Sequence, residues 1–399
     1  MNDHRKLGRE LGIFDTDPLI GAGLPYWLPD GAIVRHSLEE YVRAVERAAG
    51  FQHVYSPVLG KRELYEISGH WEHYRDGMFP RLSDELVLRP SLCPHHALIY
   101  RSRARSYREL PVRLAELGGM YRAELSGVLG GLTRVRAIQL NDSHTFCTFD
   151  QVRDEVASAL GAIQSAYGAL GIRPVRYRLS LGGSGVKYAG SADSWAQAEA
   201  ILRSALAAAD LPFEAEEGEA AFYGPKIDVQ VADSLEREAS LSTVQVDLWQ
   251  PERFGLSYVT ASGGRERPVM VHRSIIGSIE RAVAVLLEQH GGAFPPWLAP
   301  VQVAVLPVSP AELPAALSFA SACSSVRVSV AAERSLGARV RAARLVPYVA
   351  VIGPLEAAAG TVSLRLRDGR RLDALPAAEA AARVAAAVAD RGTELWSGR

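Results

Sequence analysis

One cysteine and two histidines, Cys93, His144 and His272, have the side-chain types expected at a catalytic metal centre. A thiolate and two imidazoles are common zinc ligands, and three protein ligands leave a fourth position free for a substrate. A structural zinc would usually have four ligands at short spacing, and no such cluster is found in this sequence. By position alone, the three could equally be unrelated core and surface residues, so the segments around each of them decide the interpretation.

Two short segments carry arginines that could bind a triphosphate. MYRAELSGVLGGLTRVR (120–136) is typical of a strand, a loop and a second strand, with Arg122 and Glu124 on one face. GSIER (277–281) places Arg281 in the first turns of a predicted helix. A guanidinium is a planar fork that grips phosphate from two sides, so these two arginines could clamp a triphosphate from opposite ends. Taken singly, each could also be a solvated surface arginine.

Capping patterns and apolar spacing predict the elements that must position these residues. Ser37 with Glu40, and Thr148 with Gln151, have the spacing of a helix-capping box. Helices are predicted over 37–50, from 148 to about 168–171, over 193–209 and over 274–289, and strands over 52–58, 221–231 and 242–249.

A change in the sequence pattern marks a domain boundary at GGAFPPWLAP (291–300), where glycine and proline cluster. The residues beyond it alternate between strand and helix patterns, which predicts a small α/β domain with a mostly parallel sheet. Asp368 and Gly369 have the composition of a hairpin turn, and a last helix is expected over 376–391. The sequence therefore predicts two domains, 1–293 and 294–399.

Composition excludes several classes of protein. The chain has 399 residues, a formal net charge of −1 and a pI of about 6.8, so it is not a protein that coats nucleic acid generally, although a local basic patch is compatible with these values. Three cysteines argue against a disulfide scaffold, and no apolar run reaches the ~20 residues that span a bilayer. The N-terminus is charged and has no apolar signal core. We expect a cytoplasmic protein without a membrane partner.

The order of the motifs resembles one family. The segments around Arg122 and Arg281 are similar to motifs 2 and 3 of class II aminoacyl-tRNA synthetases, and Pro57 resembles motif 1. The match narrows to the threonyl-tRNA synthetase family, on segments such as DHRKLGRELGIF, LCPHH, SGVLGGLTRVR, NDSHTFCT, AFYGPK and VMVHRSIIGSIER. This resemblance implies an α+β fold: a class II antiparallel sheet flanked by helices, followed by a small α/β anticodon-binding-like domain.

The resemblance also implies a role for the cysteine and the two histidines. In that family, the matching residues hold one Zn²⁺ per subunit, which binds the amino and hydroxyl groups of threonine. Valine has nearly the same shape without the hydroxyl, and an apolar pocket alone rejects such an analogue weakly. Asp142 is implied to pair with the substrate ammonium, and Tyr223 to line the amino-acid pocket. A surface carboxylate and a core aromatic are the alternatives.

For ATP, the resemblance implies that Arg122 binds the α-phosphate and the carboxylate, and that Glu124 binds the adenine amino group. Arg134 and Arg281 are implied to bind the outer phosphates, with Mg²⁺ bridging them. Lys226 and Gln245 would face the reacting region, and His70 would assist transfer to the tRNA. His70 could instead be a histidine packed beside Trp71. The remaining implied partners are ATP, L-threonine, tRNA and a second subunit, bound through the motif 1 region.

The sequence also departs from the family pattern. The resemblance begins after two N-terminal domains of the family, one of which removes mischarged serine, so we expect a chain without its own editing domain. The pocket has Ile138, Leu140, Ser240 and Ser242 at positions where the family has other residues, which predicts weaker ATP binding or an altered substrate pocket. In the C-terminal domain, Arg334, Arg339, Arg341 and Arg344 could contact phosphate.

These departures leave three functions open. The first is a threonine–tRNA ligase that charges tRNA(Thr). The second is a divergent relative that activates threonine or a related β-hydroxy amino acid for a non-translational acceptor, or an inhibitor-resistant duplicate. The third is a regulator or RNA-binding protein without catalysis, against which the two phosphate-binding arginines argue.

Overall fold

The computed structural model describes residues 2–183 and 188–396 of the chain. The helices of its first part are α1 (His4–Glu10), α2 (Pro29–Ala48), α3 (Arg62–Ile67), α4 (His70–His73), α5 (Cys93–Arg101), α6 (Val152–Leu170), α7 (Ala192–Ala208), α8 (Gln250–Arg253) and α9 (Ile279–His290). The strands are β1 (Phe14–Asp15), β2 (Tyr26–Trp27), β3 (Gln52–His53), β4 (Leu59–Lys61), β5 (Leu86–Leu88), β6 (Val112–Tyr121), β7 (Ala137–Cys147), β8 (Arg176–Leu181), β9 (Phe213–Glu217), β10 (Lys226–Ala232), β11 (Glu238–Asp247), β12 (Tyr258–Val259), β13 (Arg265–Glu266) and β14 (Val269–Ser274).

Eight of these strands form one sheet in the order β3–β6–β7–β14–β11–β10–β8–β9. Its six inner strands pair with one another in antiparallel fashion, as the fold class predicts. The outermost pairs, β3 with β6 and β8 with β9, are parallel, so the sheet as a whole is mixed.

The two faces of the sheet have different partners, because successive side chains of a strand point to opposite sides. On β14, Val269 and Val271 belong to the large core that includes α2, α6 and α9. Met270 packs on the other face, in a smaller cluster with α5. His272 is two residues beyond Met270 and therefore shares the α5 face, where the candidate site lies.

Helix ends confirm one capping prediction and correct the predicted starts of two other helices. Thr148 and Gln151 form the predicted capping box, and α6 follows directly and ends at Gly171 in the left-handed conformation. The prediction that a helix begins at Ser37 is wrong, because α2 already begins at Pro29, whose fixed φ suits the first helical position. The predicted helix over 274–289 begins only at Ile279, since Ser274 completes β14.

Strand bounds also differ from the sequence predictions. The strand predicted over 52–58 is limited to Gln52–His53, the two residues of β3 that pair with β6. The strands predicted over 221–231 and 242–249 correspond to β10 and β11. Both observed strands are displaced by a few residues toward the turn that joins them. Within the described residues, no helix combines the length and apolar character needed to cross a lipid bilayer.

The C-terminal part forms a separate sheet. Its elements are β15 (Val303–Pro307), α10 (Leu313–Ala322), β16 (Val328–Val330), α11 (Leu336–Ala342), β17 (Tyr348–Ile352), α12 (Pro354–Ala359), β18 (Thr361–Leu366), β19 (Leu375–Pro376) and α13 (Ala377–Ala389). The order is β16–β15–β17–β18–β19, parallel up to β17 and antiparallel after it, so the predicted mostly parallel sheet holds for only three strands.

Two sequence predictions for this part have definite outcomes. The predicted turn forms, with Gly369 at φ +95° donating its N–H to the Leu366 carbonyl. The prediction that Arg339 contacts phosphate is wrong, because its guanidinium is buried and donates to the Pro307 and Ala331 carbonyls at 2.7 Å. The ends of the two predicted domains, residues 1 and 397–399, lie outside the described residues.

Candidate active site

A cavity of about 420 Å³ opens on the α5 face of the central sheet. Ten of the twelve site residues predicted from the sequence line it: Cys93, Arg122, Glu124, Arg134, Asp142, Tyr223, Lys226, Gln245, His272 and Arg281. The remaining two, His70 and His144, are buried directly behind this lining.

Strand register explains why residues so distant in sequence meet here. Lys226 of β10 pairs with Gln245 of β11, Gln245 pairs with His272 of β14, and His272 pairs with His144 of β7. These four residues form one row across four neighbouring strands, and paired residues project to the same face. Asp142 is two residues before His144 on β7, so its side chain projects from the same face of the sheet. It lies beside the row and faces the cavity.

The metal-ligand candidates converge at one end of this row. Cys93 is the first residue of α5, and its thiol lies within 4.8 Å of the ring nitrogens that His144 and His272 turn toward it. Nε2 of His144 and Nδ1 of His272 are 3.0 Å apart. The structure therefore brings together the three residues on which the sequence-based hypothesis rests.

The surroundings of His272 fix which of its nitrogens is free. Its Nε2 faces Oδ2 of Asp247 at 2.9 Å, and the same carboxylate accepts N–H bonds from the backbones of Trp249 and Gln250. Because a carboxylate only accepts, the proton of His272 lies on Nε2, and Nδ1 presents a lone pair to His144 and Cys93. A carboxylate behind a ligating histidine is a common second layer of a metal site.

The protonation of the cluster is consistent with a cation at its centre. Burial raises the pKa of Cys93 to about 12, so a thiolate here needs a compensating positive charge. Burial and the neighbouring His272 and His96 rings hold the pKa of His144 well below its usual value, so this imidazole stays neutral. One sulfur and two neutral imidazole nitrogens, all buried, fit a zinc ion with an open fourth position.

Arg281 is held at the opposite side of the cavity by the start of α9. Ser278 caps the helix and accepts the Arg281 backbone N–H at 3.1 Å. Gly277 has φ +67°, and a Cβ on it would lie 2.1 Å from the Leu241 carbonyl oxygen, so only glycine fits this turn. The Arg281 guanidinium donates to the carbonyls of Thr133 and Ser240.

Positive charge concentrates around Arg281. Burial lowers its pKa, and the nearby guanidinium groups of Arg122 and Arg134 lower it further. Three cations that face one cavity repel one another unless an anion lies between them, so this arrangement favours a polyphosphate.

Two predicted ligand-binding residues of the cavity wall each have a buried polar atom that is unused. Within the part of the chain that the structure describes, Nε of Arg122 and Oε1 of Gln245 have no hydrogen-bond partner. Arg122 is additionally placed over the ring of Tyr74, with 5.4 Å between the guanidinium carbon and the ring centroid. Buried polar groups are rarely left unpaired, so both atoms indicate a place for a polar ligand.

Other predicted ligand-binding groups contact each other. Glu124 and Arg134 form an ion pair with an N–O distance of 2.8 Å, although the resemblance assigns them to different parts of ATP. Lys226 is 2.7 Å from Asp228, a cavity residue that the sequence reasoning missed. We expect both pairs to rearrange when a nucleotide enters.

Asp142 and Tyr223 are placed as a wall for a small substrate. Asp142 is only 9% exposed, and burial together with the charge of Glu116 raises its pKa to about 8. The Tyr223 ring stacks on the His272 ring at a centroid distance of 5.0 Å. A substrate ammonium beside Asp142 would favour its charged form.

His70 does not open on the cavity. Its two ring nitrogens contact the hydroxyls of Ser68 and Ser91, each at 2.9 Å, and its ring packs against Phe222. Ser91 lines the cavity and also accepts a bond from the Cys93 thiol at 3.4 Å, so it connects His70 to the candidate metal centre.

The four pocket residues that depart from the family pattern do not share one environment. Ile138, Leu140 and Ser240 line the cavity. Ser242 also lines it, but its hydroxyl bonds to the Tyr167 hydroxyl at 2.8 Å and to the Ile275 carbonyl at 2.5 Å. This hydroxyl therefore joins α6 to the sheet and is not free for a ligand.

Sequence reasoning also missed a buried layer behind the cluster. His96, Glu116 and Arg89 are connected to His144, and Asp247 supports His272. The only available sequence signal for the role of His96 was its position in the LCPHH segment, close to Cys93. No spacing rule connects Glu116 or Arg89 with this helix.

The fold and the site together define a class II aminoacyl-tRNA synthetase core: the family profile described as "tRNA synthetase class II core domain (G, H, P, S and T)" matches residues 78–290. A second profile, "Anticodon binding domain", matches residues 302–387. Threonine–tRNA ligase of Halalkalibacterium halodurans is 47% identical over 374 residues, which are 91% of this chain and 58% of that protein. Threonine–tRNA ligase 1 of Bacillus subtilis is 46% identical over the same shares. The chain belongs to the threonyl-tRNA synthetase family, and it spans 58% of the length of these relatives.

Solved structures agree with this assignment. The structure described as the RNA binding domain of threonyl-tRNA synthetase from Cryptosporidium parvum is 35% identical, with a TM-score of 0.90 over 98% of this chain and 99% of that one. A prolyl-tRNA synthetase from the same organism has a TM-score of 0.75 at 15% identity over 98% of this chain and 78% of that one, which shows the fold alone.

Proposed function

We propose that this chain activates L-threonine with ATP and transfers it to tRNA, with one Zn²⁺ per subunit held by Cys93, His144 and His272. The observation that carries the proposal is the cross-strand row of Lys226, Gln245, His272 and His144. This row, with Cys93 beside it, adjoins the arginine-lined cavity, which supports an amino-acid site next to a site for polyphosphate.

The cluster suits an amino acid with a side-chain alcohol. A bound zinc would supply a Lewis acid that could bind a side-chain oxygen and an amine, so the hydroxyl of threonine would be a ligand that valine lacks. Asp142 would accept an N–H of the substrate amino group, and Tyr223 would close the pocket over the side chain. Serine keeps the hydroxyl, and discrimination against it would depend on one methyl group, worth about 1–3 kcal/mol.

Activation needs charge neutralisation more than covalent help from the protein. The carboxylate of threonine forms a bond to the α-phosphorus, and the bond to the bridging oxygen breaks, so pyrophosphate leaves with the electron pair. Arg122, with its free Nε, would bind both the carboxylate and the α-phosphate. Arg134 and Arg281 would bind the departing pyrophosphate together with Mg²⁺, while Glu124 turns to the adenine amino group.

Transfer to tRNA would follow in the same cavity. The 3′-terminal ribose hydroxyl attacks the carbonyl of the adenylate, and AMP leaves. Because His70 is buried, we propose that it acts through the hydroxyl of Ser91. The exposed arginines Arg334, Arg341 and Arg344 of the C-terminal domain are available for phosphate contacts, whereas Arg339 is not.

Two further properties belong to the same proposal. We propose a homodimer that forms through the motif 1 region, because Tyr55 is 81% exposed beside β3, and Val58 is exposed on the other side of Pro57. Since ATP and tRNA are its proposed substrates, we propose that the chain works in the cytoplasm.

Pyrophosphate exchange tests the activation step. The purified chain with ATP, Mg²⁺ and zinc is assayed with threonine, serine, valine and the other amino acids. We expect exchange with threonine, weaker exchange with serine and almost none with valine. Exchange that favours an amino acid without a hydroxyl would contradict the proposal. Rapid threonine exchange without charging of tRNA(Thr) would retain activation and replace tRNA by another acceptor.

A further inference from the structure

A chain of buried hydrogen bonds extends from His144 away from the cavity. Nδ1 of His144 is 2.8 Å from Nδ1 of His96, and Nε2 of His96 is 3.2 Å from Oε2 of Glu116. All three side chains are at most 3% exposed. His144 therefore has a partner on its far side, just as His272 has Asp247.

Glu116 is held as a carboxylate by its other contacts. The Ser56 hydroxyl donates to Oε2 at 2.6 Å, the Ser56 backbone N–H donates to Oε1 at 3.3 Å, and Arg89 donates to Oε1 at 3.0 Å. Arg89 also donates to the Ser56 hydroxyl and to the Gly119 carbonyl. A carboxyl group that receives this many donors, including a buried guanidinium, is ionised and accepts every one of its bonds.

The ionised carboxylate determines the position of each proton along the chain. Nε2 of His96 must carry a proton, because it faces Glu116. Nδ1 of a neutral His96 then accepts, so Nδ1 of His144 is the donor between them. Nε2 of His144 is left as a lone pair, 3.0 Å from the lone pair on Nδ1 of His272. Two lone pairs face each other beside a thiol, which is the arrangement that a metal cation requires.

We infer that His96 is a positioning residue for the metal centre, with Glu116, Arg89 and Ser56 as the layer that orients it. His96 selects the tautomer of His144 that turns a lone pair to the metal, and it holds the ring in place. This inference depends on the proposed zinc site. The layer behind His96 also connects the proposed zinc site to Ser56, the residue before the motif 1 proline Pro57.

The next residue in the chain provides a matched control. His95 is also buried on α5, but its ring packs against Tyr65 at a centroid distance of 6.4 Å. Among the described residues, its Nδ1 has no hydrogen-bond partner. Replacing His95 therefore removes a buried imidazole of the same helix without touching the ligand set.

Zinc affinity tests the inference without reference to catalysis. The original chain, His96→Phe, His96→Gln and His95→Phe are stripped of metal and titrated with zinc against a chromogenic chelator. We expect His96→Phe to bind zinc about 10- to 100-fold more weakly, the usual effect of losing such an outer partner. His96→Gln keeps an acceptor and a donor and should recover part of the affinity, while His95→Phe should bind like the original chain.

Two outcomes separate this inference from the zinc proposal itself. If the original chain binds no zinc, the proposed metal site is wrong and this inference falls with it. If the original chain binds zinc and a folded His96→Phe binds it equally well, only the role of His96 is overturned.

A second measurement needs no variant, should His96→Phe fail to fold. Long-range ¹H–¹⁵N NMR spectra of the metal-free chain should show the proton of His144 on Nδ1 and that of His96 on Nε2. A proton on Nε2 of His144 would overturn the inference.

Discussion

At the scale of single residues, the unpaired polar atoms of the cavity are the clearest signs of a ligand. Arg122 has a buried Nε without a partner in the described part of the chain, although arginine is costly to bury unpaired. The repulsion of Arg281 by Arg122 and Arg134 is a second sign, because a bound polyphosphate would offset the cost of gathering these cations.

We predict that Arg122→Ala lowers the rate of pyrophosphate exchange by about 10²- to 10³-fold, the usual effect of removing one donor that stabilises transition-state charge. The measurement is exchange at saturating ATP and threonine. Arg153→Ala is the control, because Arg153 is exposed on α6 and does not line the cavity. Equal rates for Arg122→Ala and the original chain would remove Arg122 from the site.

Ser242 illustrates how the structure alters a prediction from sequence. The sequence predicts an altered pocket at this serine, and the structure shows that its hydroxyl bonds to Tyr167 and to the Ile275 carbonyl. Whether it also weakens ATP binding stays a prediction.

Ser242→Ala should destabilise the core by about 1–3 kcal/mol, because it leaves the buried partners of the Ser242 hydroxyl unpaired. The expected result is a lower transition temperature of the core in scanning calorimetry. Ser165→Ala is the control, since Ser165 is exposed and its hydroxyl bonds within α6. A transition that moves no more than in the control would mean that the Tyr167–Ser242 contact contributes little.

At the scale of elements, α1 braces the loop between β6 and β7. Nδ1 of His4 is 2.6 Å from Oε1 of Glu288 on α9, and Nε2 accepts the Leu132 N–H at 3.2 Å. The next residue, Thr133, gives its carbonyl to Arg281. A histidine of the N-terminal helix thus supports, from behind, the loop that carries Arg134, a proposed phosphate ligand.

His4→Ala should raise the KM for ATP roughly fivefold, because the loop loses a hydrogen bond worth about 1 kcal/mol. The KM for threonine should change little, since the candidate metal centre is on other elements. Both values are measured by pyrophosphate exchange, with His36→Ala on the exposed side of α2 as the control. A parallel rise of both KM values would indicate general loss of structure instead.

Some elements were predictable from sequence, and the reasons are local. The capping box at Thr148 and the terminal Gly171 set both ends of α6 through their own backbone geometry. Ser37 and Glu40 have the same spacing within α2, where the helix has already started, so the pattern alone misplaced its beginning. A capping pattern marks the start of a helix only when no earlier residue has already started that helix.

The site itself was predictable only through the family resemblance. Nothing in the spacing of Cys93, His144 and His272 shows that β7 and β14 are neighbours, because strand order depends on packing over the whole sheet. His96, Glu116 and Asp247 were missed for the same reason. Their roles arise from contacts between elements that are distant in sequence.

At the scale of the whole molecule, the motif 1 region presents apolar side chains that a monomer leaves in water. We predict that Tyr55→Asp shifts the chain from dimer to monomer, because it puts a charge into the proposed subunit interface. Light scattering after gel filtration measures the change. Leu355→Asp is the control, since Leu355 is 83% exposed on the C-terminal domain. A monomeric original chain would contradict the proposed homodimer.

We propose that one sulfur and two imidazoles form a metal centre that recognises the hydroxyl of threonine. Cobalt substitution tests this metal centre, because Co²⁺ reports its ligands by visible absorption. We expect a thiolate-to-cobalt charge-transfer band that is absent in Cys93→Ser, and a spectrum that changes with threonine but not with valine. A cobalt spectrum without the thiolate band, or one that threonine leaves unchanged, would show that these three residues do not form such a centre.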